Sequence, residues 1–146
     1  MKLLTKDTVN LLQECSSGVK MAVSAIDGVV EDVKSDTLKA FMIGSKARHS
    51  AIGKEIDALL EQNDDRGKEP PAMAKMMSRM KINFKMSTKP SDKEAASLVY
   101  DGCNMGIKSL YEYLNNYTDA DEQSRDIAHR IINEEEELKS CLRNFV

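Results

Sequence analysis

Tryptophan is absent from this 146-residue chain, and its aromatic complement is three phenylalanines and four tyrosines. That leaves no platform on which bases or sugars could stack. Nor is there the basic surplus that displaces counterions from nucleic acid, since the formal charge is −3 and the signs are interspersed. No apolar run approaches the ~20 residues of a membrane span. The N-terminus, Met1-Lys2-Leu3-Leu4-Thr5-Lys6-Asp7, turns polar before the apolar stretch of a signal peptide can build. Cysteines number three, Cys15, Cys103 and Cys141, an odd and widely spaced set unlike a secreted disulfide scaffold. The expectation is a cytoplasmic protein without nucleic-acid or membrane partners. Gly-rich phosphate loops, Cys-x-x-Cys pairs and a Ser/His/Asp context are missing too, so no catalytic residue is assigned and an enzyme is not expected.

Only three prolines interrupt the chain, and what is present favours helix. Four stretches, about 7–33, 36–62, 91–117 and 120–144, carry apolar residues in alternating steps of three and four. Their seams read Leu12, Cys15, Val19, Ala22, Ile26, Val29, Val33; then Leu38, Met42, Ser45, His49, Ile52, Ile56, Leu59. The third reads Ala96, Val99, Cys103, Ile107, Leu110, Leu114, Tyr117, and the fourth Ser124, Ala128, Ile131, Glu135, Leu138, Leu142, Phe145. Ser35 is the expected N-cap of the second helix. Ser91 with Glu94, and Asp119 with Glu122, have capping-box spacing for the third and fourth. Short connections make two antiparallel hairpins. The segment 63–90 is too long for a turn and suits a crossover along a single all-α, four-helix-bundle domain. Within it Met73, Met76, Met77 and Met80 form a stripe, read as packing, with a second subunit or Cu(I) as alternatives.

The hairpins echo one another. Cys15-Ser16-Ser17-Gly18-Val19-Lys20 and Cys103-Asn104-Met105-Gly106-Ile107-Lys108 share Cys-x-x-Gly-(Val or Ile)-Lys at one seam phase, and Ser45, Ile52, Glu55 and Leu59 match Ser124, Ile131, Glu134 and Leu138. Gly18, Gly28, Gly44, Gly53, Gly102 and Gly106 interrupt the helices at up to ~1 kcal/mol each. Close helix approach is the first explanation for them and room for a ligand the second.

The order and lengths of these elements, with Leu38-Lys39-Ala40-Phe41 early in the second helix, resemble the ferritin-like superfamily, and within it a group of uncharacterised small bacterial bundles. The resemblance implies two hairpins joined by a long crossover. It also implies a di-metal carboxylate centre, with one Glu from each of two helices and Glu-x-x-His from each of the others. The chain departs from that pattern. The first and third seams carry Cys15 and Cys103 in place of carboxylates, Lys46 stands three before His49, and only Asp126-Ile127-Ala128-His129 approximates the motif. The implied reading is a bundle without a complete di-iron site, with a non-enzymatic interaction or oligomerisation role, including a homo-oligomer.

Two polar seam positions remain, His49 and Glu135, which helix counting puts at one height. A buried carboxylate costs several kcal/mol unless paired or protonated. One reading is a hydrogen-bonded His–Glu pair with Cys103 as a passive neighbour. The other is a metal-binding or redox site for iron or zinc built from His49, Glu135 and Cys103 or His129.

Overall fold

The computed structural model describes residues 3–68 and 90–146. Among these the chain forms four α-helices and no strand: α1 (Lys6–Val29), α2 (Asp36–Gln62), α3 (Asp92–Asn116) and α4 (Glu122–Leu142), with a 3-10 turn over Val30–Asp32 after α1. Most of the crossover, including its methionine stripe, lies outside the described residues. No helix of the described residues is long and apolar enough to cross a membrane.

Helix starts are set by side chains that accept the orphan N–H groups of a first turn. Thr5 caps α1 by accepting from the Thr8 amide, and Ser35 caps α2 by accepting from that of Leu38. Ser91 caps α3 from the Glu94 amide, as the spacing predicts. The expectation for α4 is corrected: its cap is Asp121, which accepts from the Ser124 amide at 2.8 Å. Asp119 is held elsewhere, its amide donating to Asp7 Oδ2 at 2.9 Å.

α1 packs on α2 and α3 on α4, the two hairpins; the hairpins then meet through α1 on α3 and α2 on α4, with α1 also touching α4 across the interior. Leu4 donates its amide to Asn63 at the foot of α2, whereas Asp92 binds the amides of Lys34 and Ser35 at the opposite end. The chain therefore leaves α2 at one end of the helical bundle and re-enters α3 at the other. Most seam residues are buried, with Ala22, Leu59, Ile107, Tyr117 and Phe145 half-buried; the drift shows at the end of α2, where Leu60 rather than Leu59 is buried. A straight helix of 3.6 residues per turn slips gradually off a 3.5 repeat.

The apolar interior comes in two clusters. One gathers Leu11, Leu12, Ile56, Leu60, Leu110 and Ile131; the other gathers Ile26, Leu38, Met42, Val99, Leu138 and Leu142. Each fully buried Leu or Ile contributes roughly 1.5–3 kcal/mol. Between the clusters lies a waist where Ser45, His49 and Glu135 replace the apolar seam.

Candidate functional site

His49 comes from α2 and is fully buried; Glu135 comes from α4 with 4 % of its surface exposed. The ring is oriented by its own helix. Nδ1 lies 2.9 Å from the Ser45 carbonyl, one turn back, and 3.3 Å from the Ser45 hydroxyl. Only an Nδ1–H can satisfy that carbonyl, which aims Nε2 across the interior at Glu135 Oε1, 3.7 Å away. This is ion-pair contact beyond hydrogen-bond reach. Among the described residues, neither His49 Nε2 nor Glu135 Oε2 has a hydrogen-bond partner.

Charge bookkeeping follows from that tautomer. With Nδ1 protonated, a neutral ring turns a bare lone pair toward the carboxylate, and an ionised Glu135 there would be an uncompensated buried charge. The pair therefore holds one proton between Nε2 and the carboxylate and is neutral as a unit. Burial alone would lower the His49 pKa, but contact with Glu135, the Ser45 carbonyl and the charge of Glu134 outweigh it and raise it above the usual histidine value. Burial raises Glu135 against the opposing pull of His49.

The residues immediately before these two pair with each other across the α2–α4 gap, Arg48 exposed and Glu134 buried. Arg48 Nε donates to Glu134 Oε1 at 2.7 Å, and four residues before Glu134 on α4, Arg130 holds Glu55 through two bonds of 2.9 Å. The α2–α4 side of the waist is thus closed by ion pairs. Among the described residues its α1–α3 side is open. A cleft of about 50 Å³ runs in from there, with His49 and Glu135 at its floor and Gly18, Ala22, Ala25, Gly102 and Gly106 among its walls. Glu14, held by Lys68, stands at its lining with Tyr113.

The glycines are not equivalent. A Cβ at Gly106 would overlap Glu135 Oε2 and lie 3.0 Å from the carboxyl carbon, so this glycine makes room for the carboxylate. A Cβ at Gly18 or Gly102 would meet nothing within 4 Å among the described residues, so there those two leave space unfilled.

Of the residues singled out from the sequence, His49, Glu135 and Cys103 line this one cleft. His129 does not join them: it is exposed on α4, edge-on to Tyr111 with ring centroids 6.4 Å apart. Burial, with the Glu135 charge, pushes the Cys103 thiol well up, and burial pushes that of Cys15 up to about 12. Both stay neutral and pack as small apolar groups. Two irons need a carboxylate-rich shell, and the donors here do not fit that requirement. Among the described residues no three His, Cys, Asp or Glu side chains gather as metal ligands. The cleft itself was not evident from the seams, although Gly18 and Gly106, paired by the internal repeat, both border it.

No family model matches this chain. No curated protein matches it either. Among solved structures it is similar to a DUF305 fragment from Deinococcus radiodurans, with a TM-score of 0.77 over 98% of this chain and 97% of that one. At 14% identity the likeness is one of helical fold alone.

Proposed function

We propose that this chain is a ferritin-like four-helix bundle without a complete di-iron centre, and that its role is non-enzymatic: it binds at its waist. One observation carries the reading. Among the described residues, a buried His49–Glu135 pair keeps two polar atoms unpartnered at the floor of a cleft that opens between α1 and α3. A protein interior seldom tolerates such atoms without a use for them, because each costs about 1–3 kcal/mol. Oligomerisation has less behind it. The exposed large apolar side chains among the described residues are Leu3, Ile43, Tyr111 and Val146, one on α2, one on α3 and one near each chain end.

A single iron or zinc ion is the second reading. It is favoured by the Nδ1 anchor of His49 on a backbone carbonyl, the arrangement that orients metal-binding imidazoles. His49 and Glu135 would supply two donors and solvent the rest.

Native mass spectrometry of protein purified without a metal-affinity tag tests both. A non-covalent mass excess that is lost in Glu135→Gln supports binding at the waist, and elemental analysis assigns that excess to a metal or to an organic molecule. Dioxygen uptake on adding ferrous iron would overturn the non-enzymatic reading.

A further inference from the structure

Three properties of the waist define what fits it: walls that are largely apolar, with Glu14, Ser17, Ser109 and Tyr113 the polar residues among them, a neutral floor, and two stranded polar atoms. We infer that the α1–α3 cleft binds a small uncharged molecule with an apolar body and a hydroxyl head, the hydroxyl bridging His49 Nε2 and Glu135 Oε2. The inference rests on the binding role proposed above and names its chemistry.

A hydroxyl both donates and accepts, and it satisfies the floor wherever the shared proton sits. With the proton on the ring, Nε2–H donates to the hydroxyl oxygen and the hydroxyl donates to Oε2. With the proton on Oε2, that oxygen donates to the hydroxyl, which donates in turn to bare Nε2. Neither of the charged heads does as well. A carboxylate head would face the Glu135 carboxyl and demand a second proton. An ammonium head would add a charge to a neutral buried pair with no further anion to offset it at the floor. Glu14 does not serve as that anion, because Lys68 already holds it.

The body of the ligand is defined by what the helices omit. Among the described residues, Gly18 and Gly102 present backbone with nothing within 4 Å of a would-be Cβ, and Met21, Ala22, Ala25 and Val99 continue the wall. A cleft of about 50 Å³ encloses a few heavy atoms, since one water needs roughly 10–15 Å³ on the same measure. A short alkyl chain fits inside, and a longer one would leave between α1 and α3. For five heavy atoms the dissociation constant should be of the order of millimolar.

The test is an NMR titration of the full chain with 1-butanol and phenol, alongside butylamine and butyrate as charged analogues. Saturable shifts at Gly18, Gly102 and Gly106 and at the His49 ring are expected for the alcohols, with the charged analogues at least tenfold weaker. Gly18→Leu should fill the cleft while keeping the helix, and should abolish saturation. Absence of saturable binding by either alcohol overturns the inference, as does tighter binding of the amine or butyrate, or undiminished binding to Gly18→Leu. If alcohols fail while the purified protein carries a mass excess that Glu135→Gln loses, the hydroxyl chemistry falls and the binding role stands. If both are absent, both fall.

Discussion

At the height of His49 the bundle has two unlike sides built from neighbouring residues. On the α2–α4 side Arg48 meets Glu134 and Arg130 meets Glu55, long side chains that span the helix gap and seal it. On the α1–α3 side the helices present Gly, Ala and Ser, and the gap stays open down to the buried pair. Closure by charge costs little because Arg48, Arg130 and Glu55 keep their charges in solvent and the buried Glu134 accepts directly from Arg48. Opening by glycine costs helix stability at each position and leaves polar atoms stranded. The open side is therefore where the chain departs furthest from what folding alone favours, and it is where the binding role is proposed.

Removing the floor of the open side should have the largest effect. Glu135→Ala strands His49 in an apolar interior and should lower unfolding free energy by about 3 kcal/mol. His49→Leu combined with Glu135→Leu should recover much of that, because neither partner is then left alone. Chemical denaturation of the three proteins measures it, and a loss below about 0.5 kcal/mol in the single variant would place Glu135 in solvent.

The pair also sets a pH slope. His49 is raised above its ordinary 6.5, so the folded state keeps a proton that the unfolded chain releases. Its contribution is fully present below pH 6.5 and is lost as pH rises through the folded value. Stability should therefore fall on the alkaline side, against a background set by Glu134, Glu136 and Arg48. In Glu135→Gln that downward slope should disappear, because the buried ring loses the partner that keeps it protonated. Denaturant midpoints measured from pH 6 to 9 on both proteins decide this, and parallel curves would show the proton is not held there.

A smaller effect separates the glycines. Gly106→Ala must push the Glu135 carboxylate aside and should cost about 1–2 kcal/mol despite better helix propensity. Gly102→Ala enters empty space and should gain about 0.5–1 kcal/mol. Equal changes would mean that the open side is not open. Smallest of all, Arg130→Ala should cost no more than about 0.5 kcal/mol, since its pair with Glu55 is exposed. Thermal melts in low and high salt would show it, and a loss above 2 kcal/mol would make the sealed side the structural one.

Much of this was legible in the sequence because a period of three and four residues is a one-dimensional record of burial. It placed Cys15, Val19, Leu38, Met42, Ala96, Val99, Ala128 and Ile131 inside, and it put His49 and Glu135 there as polar exceptions at one height. The tautomer of His49 was not legible, because it depends on a carbonyl of Ser45 whose direction only the folded helix supplies. His129 was misjudged as a companion, since one step off the seam turns a residue by about 100° and here puts it in solvent. The cap of α4 was misread because Asp119 and Asp121 are equally suited chemically. The choice is made by α1, where Asp7 takes the Asp119 amide and Thr8 that of Asp121. The cleft was hidden because a glycine that admits a carboxylate and one that leaves a void read identically in sequence.

Those last contacts have a counterpart at the other end. The amides of Asp119 and Asp121 in the second hairpin's turn are bound by Asp7 and Thr8 at the start of the first hairpin. The amides of Lys34 and Ser35 in the first hairpin's turn are bound by Asp92 at the start of the second. Each turn is thus completed by the other half of the chain, across sequence separations of 57 to 113 residues. Neither hairpin can be finished alone, and peeling one away strips donors at both ends together. The two halves should melt in a single transition, and their amide protons should exchange as one cooperative unit.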